Sequence, residues 1–287
     1  GIAPGCSLIV LKVLDRTGNG RKEDVLQAFR WILENKRYYG IRVVNISVGT
    51  TCRRAEDHRV LIAGVEQLWD AGLVVVAAAG NQGPKAGSVT APGSSRKIIT
   101  VGSSDLLTGR TAISGRGPTF ECVCKPDLVA PGNHVLACAP GADNGYGVKS
   151  GTSMSTPLVA GAAALMLEKN PELTNVQIKM KLKESARDMG LPKNQQGWGE
   201  LDLERFMEAR VPLVKFVDRT YNLDETYFLP IMHYLAMADT ETTFHFEIKA
   251  DLLSEKTLKF LETVPEGRFQ FEIGVQSTHD ATLKAIG

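Results

Sequence analysis

The sequence predicts an α/β fold, and two patterns carry the prediction. Over the first two-thirds of the chain, short continuous apolar runs alternate with amphipathic helical stretches. That is the pattern of a mostly parallel sheet covered by helices on both faces. Near residue 210 the strands switch to apolar–polar alternation with helices between them, the spacing of consecutive β-α units in a barrel. The expected division is therefore residues 1–209 and residues 210–287.

Taken in order, Leu8–Leu14 is an apolar run and reads as a strand, ending in the turn-rich Asp15-Arg16-Thr17-Gly18-Asn19-Gly20. From Glu23 to Tyr39, Val25, Phe29, Ile32 and Leu33 recur at helical spacing and give one buried face. Val43–Val48 is again a strand, and Val60–Ala71 a helix with Gly72 where a helix stop is expected. Leu73–Ala79 is the most apolar strand and runs into Gly80-Asn81-Gln82-Gly83; Ile98–Val101 and His134–Ala137 complete the set. Ser155–Lys169 is apolar on most sides and predicts a buried helix, while Thr174 caps another that runs to about Met189. In the last part, Val214–Asp218, Phe244–Ile248 and Phe269–Ile273 are strands, with helices over Glu225–Ala238 and Ser254–Val264. Three such units cannot close an eight-stranded barrel.

Composition limits the partners. With 287 residues, 43% hydrophobic and 23% charged, the chain can bury a proper core in one large domain or two smaller ones. A formal charge of +1 gives no electrostatic case for nucleic acid or an acidic membrane as partner. No apolar run approaches the roughly 20 residues of a membrane span. Cys6, Cys52, Cys122, Cys124 and Cys138 are odd in number and irregular in spacing, so they read as reduced thiols rather than a disulfide framework. Cys122 and Cys124 stand too close for a zinc knuckle, and no metal site is expected. Gly1–Gly5 has no secretory leader, which with the cysteines leans toward the cytoplasm. The chain does not begin with Met, so that leaning carries little weight.

The chemistry centres on Gly151-Thr152-Ser153-Met154-Ser155-Thr156-Pro157. A serine hydroxyl is a poor nucleophile unless its proton is removed and the developing oxyanion is stabilised. Ser153 follows two small residues at a sharp loop, and an apolar helix begins beside it. A helix N-terminus offers free N–H groups and the positive end of its dipole. On these residues alone, Gly-Thr-Ser before a helix reads first as an N-cap.

The segment Gly151–Gly161 resembles the serine motif of the subtilase family of serine proteases. Asn45-Ile46-Ser47-Val48-Gly49 is similar to that family's substrate-binding strand, Ala77-Ala78-Ala79-Gly80-Asn81 to the strand leading to its oxyanion asparagine, and Lys125–Gly132 to the loop before its serine segment. The resemblance covers nearly all of residues 1–208 and implies a three-layer α/β/α fold with a mostly parallel sheet. It implies a peptide or protein substrate, with Ser153 attacking the scissile carbonyl. The Asn81 amide and the Ser153 N–H would hold the oxyanion. Ser47, Val48 and Gly49 would pair with the substrate backbone. Ala78, Ala79 and Gly80 would line the primary pocket, their small size leaving room for a bulky apolar side chain. Leu158 departs from the pattern, standing where many members carry histidine. Many members bind calcium, but no contiguous run of oxygen ligands supports it here, and no cofactor is expected.

The family's triad also needs a histidine base and a carboxylate, both upstream of the serine. Neither motif is present. Gly1–Cys6 is similar to the stretch that follows the histidine segment, so the chain is expected to begin just after it. Asp15 is set aside because Lys12–Asp15 matches the family's next strand; His58 lies in a charged stretch and His134 carries no base motif. A chain of this kind is expected to have little activity alone, and whether it is an enzyme stays open.

Residues 214–287 resemble a different family, the middle of a radical S-adenosylmethionine barrel of the cobalamin-binding type, through Val214–Asn222, Phe244–Asp251 and Phe271–Ser277. By that resemblance Glu247 and Gln276 would lie near bound S-adenosylmethionine. No cysteine occurs in this part, so no iron–sulfur cluster can be held there, and both residues read rather as ordinary polar strand positions. Three readings therefore compete: a subtilase endopeptidase, a fragment of a radical S-adenosylmethionine enzyme, and a non-catalytic fusion of two unrelated gene pieces.

Overall fold

The computed structural model describes residues 1–50, 55–139, 145–208, 213–216, 220–238 and 241–273. Two compact units are present, Gly1–Ala209 and Arg210–Gly287. The first is built on a four-stranded parallel sheet in the order β1 (Val43–Ile46), β2 (Val74–Ala78), β3 (Ile99–Ser103), β4 (Leu128–Ala130). Every residue of β2, β3 and β4 is buried, as their continuous apolar sequences require of strands covered on both faces.

The covering helices are α1 (Lys22–Asn35), α2 (Ala55–Asp70), α3 (Thr152–Lys169) and α4 (Asn175–Ser185), with the short α5 (Lys193–Gln196) and α6 (Leu203–Glu208). Phe29 and Ile32 of α1, Val65, Leu68 and Trp69 of α2, and Val159, Ala162, Ala163 and Met166 of α3 share one core with the strands. Thr174 caps α4 through a reciprocal capping box with Gln177. This helix stops at Ala186, short of Met189, because Ala186 turns extended and Arg187 exchanges backbone hydrogen bonds with Glu200.

Three expectations need correction. Leu8–Leu14 is not a strand: Leu8 and Val10 are 82% and 84% exposed. Strands exist only as hydrogen-bonded neighbours, and none pairs with this segment among the described residues. The run near His134 does not join the parallel sheet. It forms β5 (Val135–Cys138), paired antiparallel with β6 (Tyr146–Lys149) as a separate two-stranded ribbon. The fourth sheet strand is β4, inside a stretch the sequence presented only as a loop between two prolines.

The second unit is a three-stranded parallel sheet, β7 (Leu213–Phe216), β8 (Thr243–Ile248), β9 (Phe269–Ile273), with α7 (Glu225–Met237) and α8 (Glu255–Leu261) following β7 and β8. Asp224 and Ser254 cap the two helices through side-chain oxygens. Phe228, Leu229 and Met232 of α7 pack with Phe244, Phe246, Ile248 and Phe260 in a core separate from the first. Val217 and Asp218, read as strand, lie outside the described residues, as does Cys52. Cys6, Cys122, Cys124 and Cys138 are free and exposed. Among the described residues no helix is long and apolar enough to cross a membrane, and no group of three or more His, Cys, Asp or Glu side chains is placed to hold a metal ion.

Candidate active site

Three chain segments meet beyond the carboxyl ends of β1 and β2: Ser47–Gly49, Ala78–Asn81, and Gly151–Ser153 at the start of α3. Gly151 is the N-cap, with φ 138° and ψ 165°, a conformation only glycine adopts without strain. A Cβ there would also stand 2.9 Å from Asn81 Nδ2. The helix begins at Thr152, so Ser153 is its second residue rather than its cap. Its Oγ accepts no first-turn N–H; it donates to the Ser47 carbonyl at 2.8 Å. The N-cap alternative is thereby excluded by geometry.

The same motif explains the reverse contact. Pro157 lies four residues after Ser153 and has no N–H, so the Ser153 carbonyl loses its regular helical donor. Ser47 Oγ donates to that carbonyl instead, at 3.1 Å. Ser47 and Ser153 thus hold each other across two segments far apart in sequence, and the Ser47 hydroxyl also accepts from Asn45 Nδ2 at 3.0 Å.

Asn81 is exposed, and its side-chain oxygen accepts from the Thr152 backbone N–H at 2.9 Å and from Thr152 Oγ1 at 3.1 Å. With Oδ1 so engaged, the Nδ2 group lies on the Gly151 side, available to donate. The Ser153 N–H belongs to the first helical turn, whose N–H groups have no intrahelical acceptor. Two hydrogen-bond donors, the Asn81 amide and the Ser153 N–H, therefore stand at the start of α3.

Sequence reasoning missed two supports of this arrangement. Thr152 lies inside the serine motif beside the nucleophile candidate; its hydroxyl accepts from the Gly80 N–H at 3.1 Å and ties that strand end to Asn81. Asp105 carried no motif signal. Its carboxylate accepts from Gly132 N (2.9 Å), Asn133 N (3.0 Å) and Ser103 Oγ (2.8 Å). Gly132 in turn accepts from Gly151 N at 2.8 Å, so Asp105 anchors the loop on which the start of α3 rests. Partial burial alone would raise the Asp105 pKa, but the hydrogen bonds from Gly132, Ser103 and Asn133 outweigh it and hold the carboxyl below its ordinary value.

The remaining candidates are placed as follows. Val48 and Gly49 continue from β1 beside Ala78, Ala79 and Gly80, the two alanines buried. The Ser153 hydroxyl proton is directed at a backbone carbonyl and not at an imidazole. His134 is exposed, with its backbone N–H on Ser150 Oγ at 2.9 Å, and His58 lies on α2. In the second unit Glu247 pairs with Lys215 at 3.0 Å, and Gln276 lies outside the described residues.

The first unit is thus an α/β domain with a serine hydroxyl in the first turn of a buried helix, beyond the carboxyl ends of parallel strands, and an asparagine side chain bonded to the residue before that serine. A model of the subtilase family matches residues 1–199, and the chain belongs to that family. It is 36% identical over 207 residues to the serine protease AprX of Bacillus subtilis (strain 168), covering 64% of this chain and 47% of that protein. It is 37% identical over 190 residues to subtilisin Savinase of Lederbergia lenta, covering 66% of this chain and 64% of that protein. Sphericase, a solved structure, superimposes with a TM-score of 0.56 at 27% identity, covering 66% of each chain. The chain thus spans about half the length of AprX.

Proposed function

We propose that residues 1–209 form the peptide-binding and nucleophile-bearing domain of a serine endopeptidase, with Ser153 as nucleophile and the Asn81 amide as oxyanion donor. The observation that carries the reading is the position of Ser153 in the first turn of α3, with Asn81 bonded to the adjacent Thr152. A peptide would lie extended along Ser47–Gly49, with the side chain before the scissile bond directed between that segment and Ala78–Gly80. The Ser153 oxygen would attack the carbonyl, and the negative charge forming on the carbonyl oxygen would be met by Asn81 Nδ2–H and the Ser153 N–H.

Residues 1–287 by themselves are proposed to turn over little substrate. A carbonyl acceptor such as that of Ser47 holds the hydroxyl in place but is far too weak a base to take its proton. Among the described residues no histidine accepts from Ser153 Oγ, and a working triad would need a histidine and an orienting carboxylate brought to it. A fluorophosphonate probe tests this: the expected result is labelling of Ser153 no faster than background in a Ser153→Ala control. Rapid stoichiometric labelling would overturn the claim of low activity.

For residues 210–287 the proposal is a part of a β/α barrel, supported by three successive parallel strands joined through helices. No chemistry is assigned to it.

A further inference from the structure

Outside the three segments of the candidate active site, two nucleophilic side chains stand together on one short hairpin. Gly117 donates its N–H to the Lys125 carbonyl at 2.8 Å, and Thr119 donates to the Val123 carbonyl at 2.9 Å. The Val123 N–H returns to Thr119 Oγ1 at 3.1 Å. These rungs hold Val123–Lys125 extended against Gly117–Thr119 and leave residues 120–122 as the turn. Cys122 and Cys124 bracket Val123, and both are free and exposed. At a rise of about 3.3 Å per residue, their Cα atoms are separated by about 6.6 Å.

Folding does not account for these two residues. Cys122 has φ 57°, in the left-handed region where glycine is at ease and a side chain brings strain. Both thiols are open to solvent, so neither adds to a core. The spacing also argues against a disulfide between them, because the pair sits at the far end of the Cα separations a disulfide spans. An ion between the sulfurs relaxes that demand: two metal–thiolate bonds of about 2.3 Å reach further than one S–S bond of about 2.05 Å. The number of ligands selects the ion. Zinc in a closed site takes four protein ligands, and among the described residues no group of three or more His, Cys, Asp or Glu side chains is placed to hold a metal. Glu121, the carboxylate beside the pair in sequence, is engaged with Arg96 at 3.6 Å. Thiolates alone suit copper(I).

We propose that Cys122 and Cys124 form a two-thiolate site for a soft monovalent metal ion, copper(I). Each thiol gives up its proton as the ion binds, so one copper(I) forms a bond to each sulfur and releases two protons, with no change of oxidation state. The proposal is independent of the reading of the cleft, and no step of peptide hydrolysis passes through it.

The test is an oxygen-free titration of copper(I) against the chelator bicinchoninate, using the 287-residue chain with Cys6→Ser, Cys52→Ser and Cys138→Ser. One copper(I) per chain is expected to leave the chelator. Cys124→Ser, and Cys122→Gly, which suits the left-handed backbone, should each weaken binding at least about a hundredfold, the scale of advantage an intramolecular second ligand gives. If the triple variant fails to fold, the same titration compares Cys124→Ser with the unaltered chain, and the tightest ion is expected to be lost. Full affinity in either single-thiol variant, or two ions per chain, shows each thiol acting alone and overturns the proposal. Zinc held as tightly as copper(I) overturns it too, because it requires ligands the pair does not supply. So does copper(I) that stays with the chelator throughout.

Discussion

In the sheet of the first unit, β2 and β3 are buried at every position, whereas β8 in the second unit alternates between buried and half-buried residues along its length. Both sheets are parallel, and parallel sheets are ordinarily covered on both faces. In the second, one face carries Phe244, Phe246 and Ile248 into the core, and the other presents Lys215, His245, Glu247 and Glu272. The two sheets therefore share topology and differ in what their second faces meet. Beside the first sheet, the buried charges among the described residues form a locked cluster: Lys125 is fully buried and donates to Asp127 at 2.5 Å and to the Ile98 carbonyl at 3.0 Å. Lys179 reaches the other Asp127 oxygen at 3.4 Å. The difference shows why strand sequence reports burial more directly than it reports topology.

The largest effects should fall on positions where the sheets are alike. Phe246→Ala removes a fully buried ring from the second core and is expected to cost about 3–5 kcal/mol; Ile99→Ala in β3 should cost about 2–5 kcal/mol. Hydrogen exchange read on peptides spanning β8 and β3 measures each loss in its own unit. A Phe246→Ala variant with undiminished protection of β8 would mean that the second core is not the stabilising element it is taken for.

Next in size is the buried charge of the first sheet. Burial pushes the Lys125 pKa down from 10.5 to about 8, against the opposing pull of Asp127 and with a smaller push from Lys179. A lysine whose folded pKa lies below its unfolded pKa keeps its proton longer in the unfolded chain. Stability should therefore rise with pH between about 8 and 10.5, by on the order of 3 kcal/mol from this group alone. Lys125→Met should abolish that rise. At neutral pH it should cost about 3 kcal/mol or less, because Asp127 keeps Lys179 and the Thr100 N–H. Urea denaturation at pH 7, 8, 9 and 10 checks both statements.

How far the sequence spoke depended on whether the cause was local. Continuous apolar runs exposed β2 and β3, alternation exposed β8 and β9, and the Thr174 cap marked the start of α4. The serine motif placed Ser153 near a helix start because sequence-adjacent residues shape that turn. What stayed hidden arises between distant segments. The exclusion of Leu8–Leu14 from the sheet depends on a neighbour, not on its own residues. Asp105 acts on Gly132 and Asn133 across 27 and 28 positions, and Thr90 packs against both Gly49 and Gly80 only once the chain has folded back.

Helix caps sharpen the comparison at smaller scale, because both units use them. Thr174→Ala removes the oxygen that accepts from the Gln177 N–H and should cost about 1 kcal/mol. Ser254→Ala, which removes the acceptor for the Thr257 N–H at the start of α8, should cost a similar amount in the second unit. Thermal unfolding compares the pair, and a much larger loss for either would show that its helix end bears on the core beyond its cap.

The smallest effect is expected where the sheets differ most. Lys215 Nζ lies 3.0 Å from both Glu247 Oε1 and Glu272 Oε2, and Glu272 also meets His245 Nε2 at 3.1 Å. Hydrogen bonds to Glu272 and Glu247 hold the Lys215 pKa above its ordinary value, yet the groups are open to solvent, where screening and side-chain entropy cancel most of the gain. Lys215→Met should leave the denaturation midpoint unchanged, in contrast to the same substitution at Lys125. The contrast depends on the charged face being wet. If Lys215→Met destabilised the protein as Lys125→Met does, and 0.5 M salt failed to mimic it, the face would have to be desolvated in solution. The second sheet would then be covered on both sides, as the first one is, and the difference between them would be one of side-chain chemistry alone.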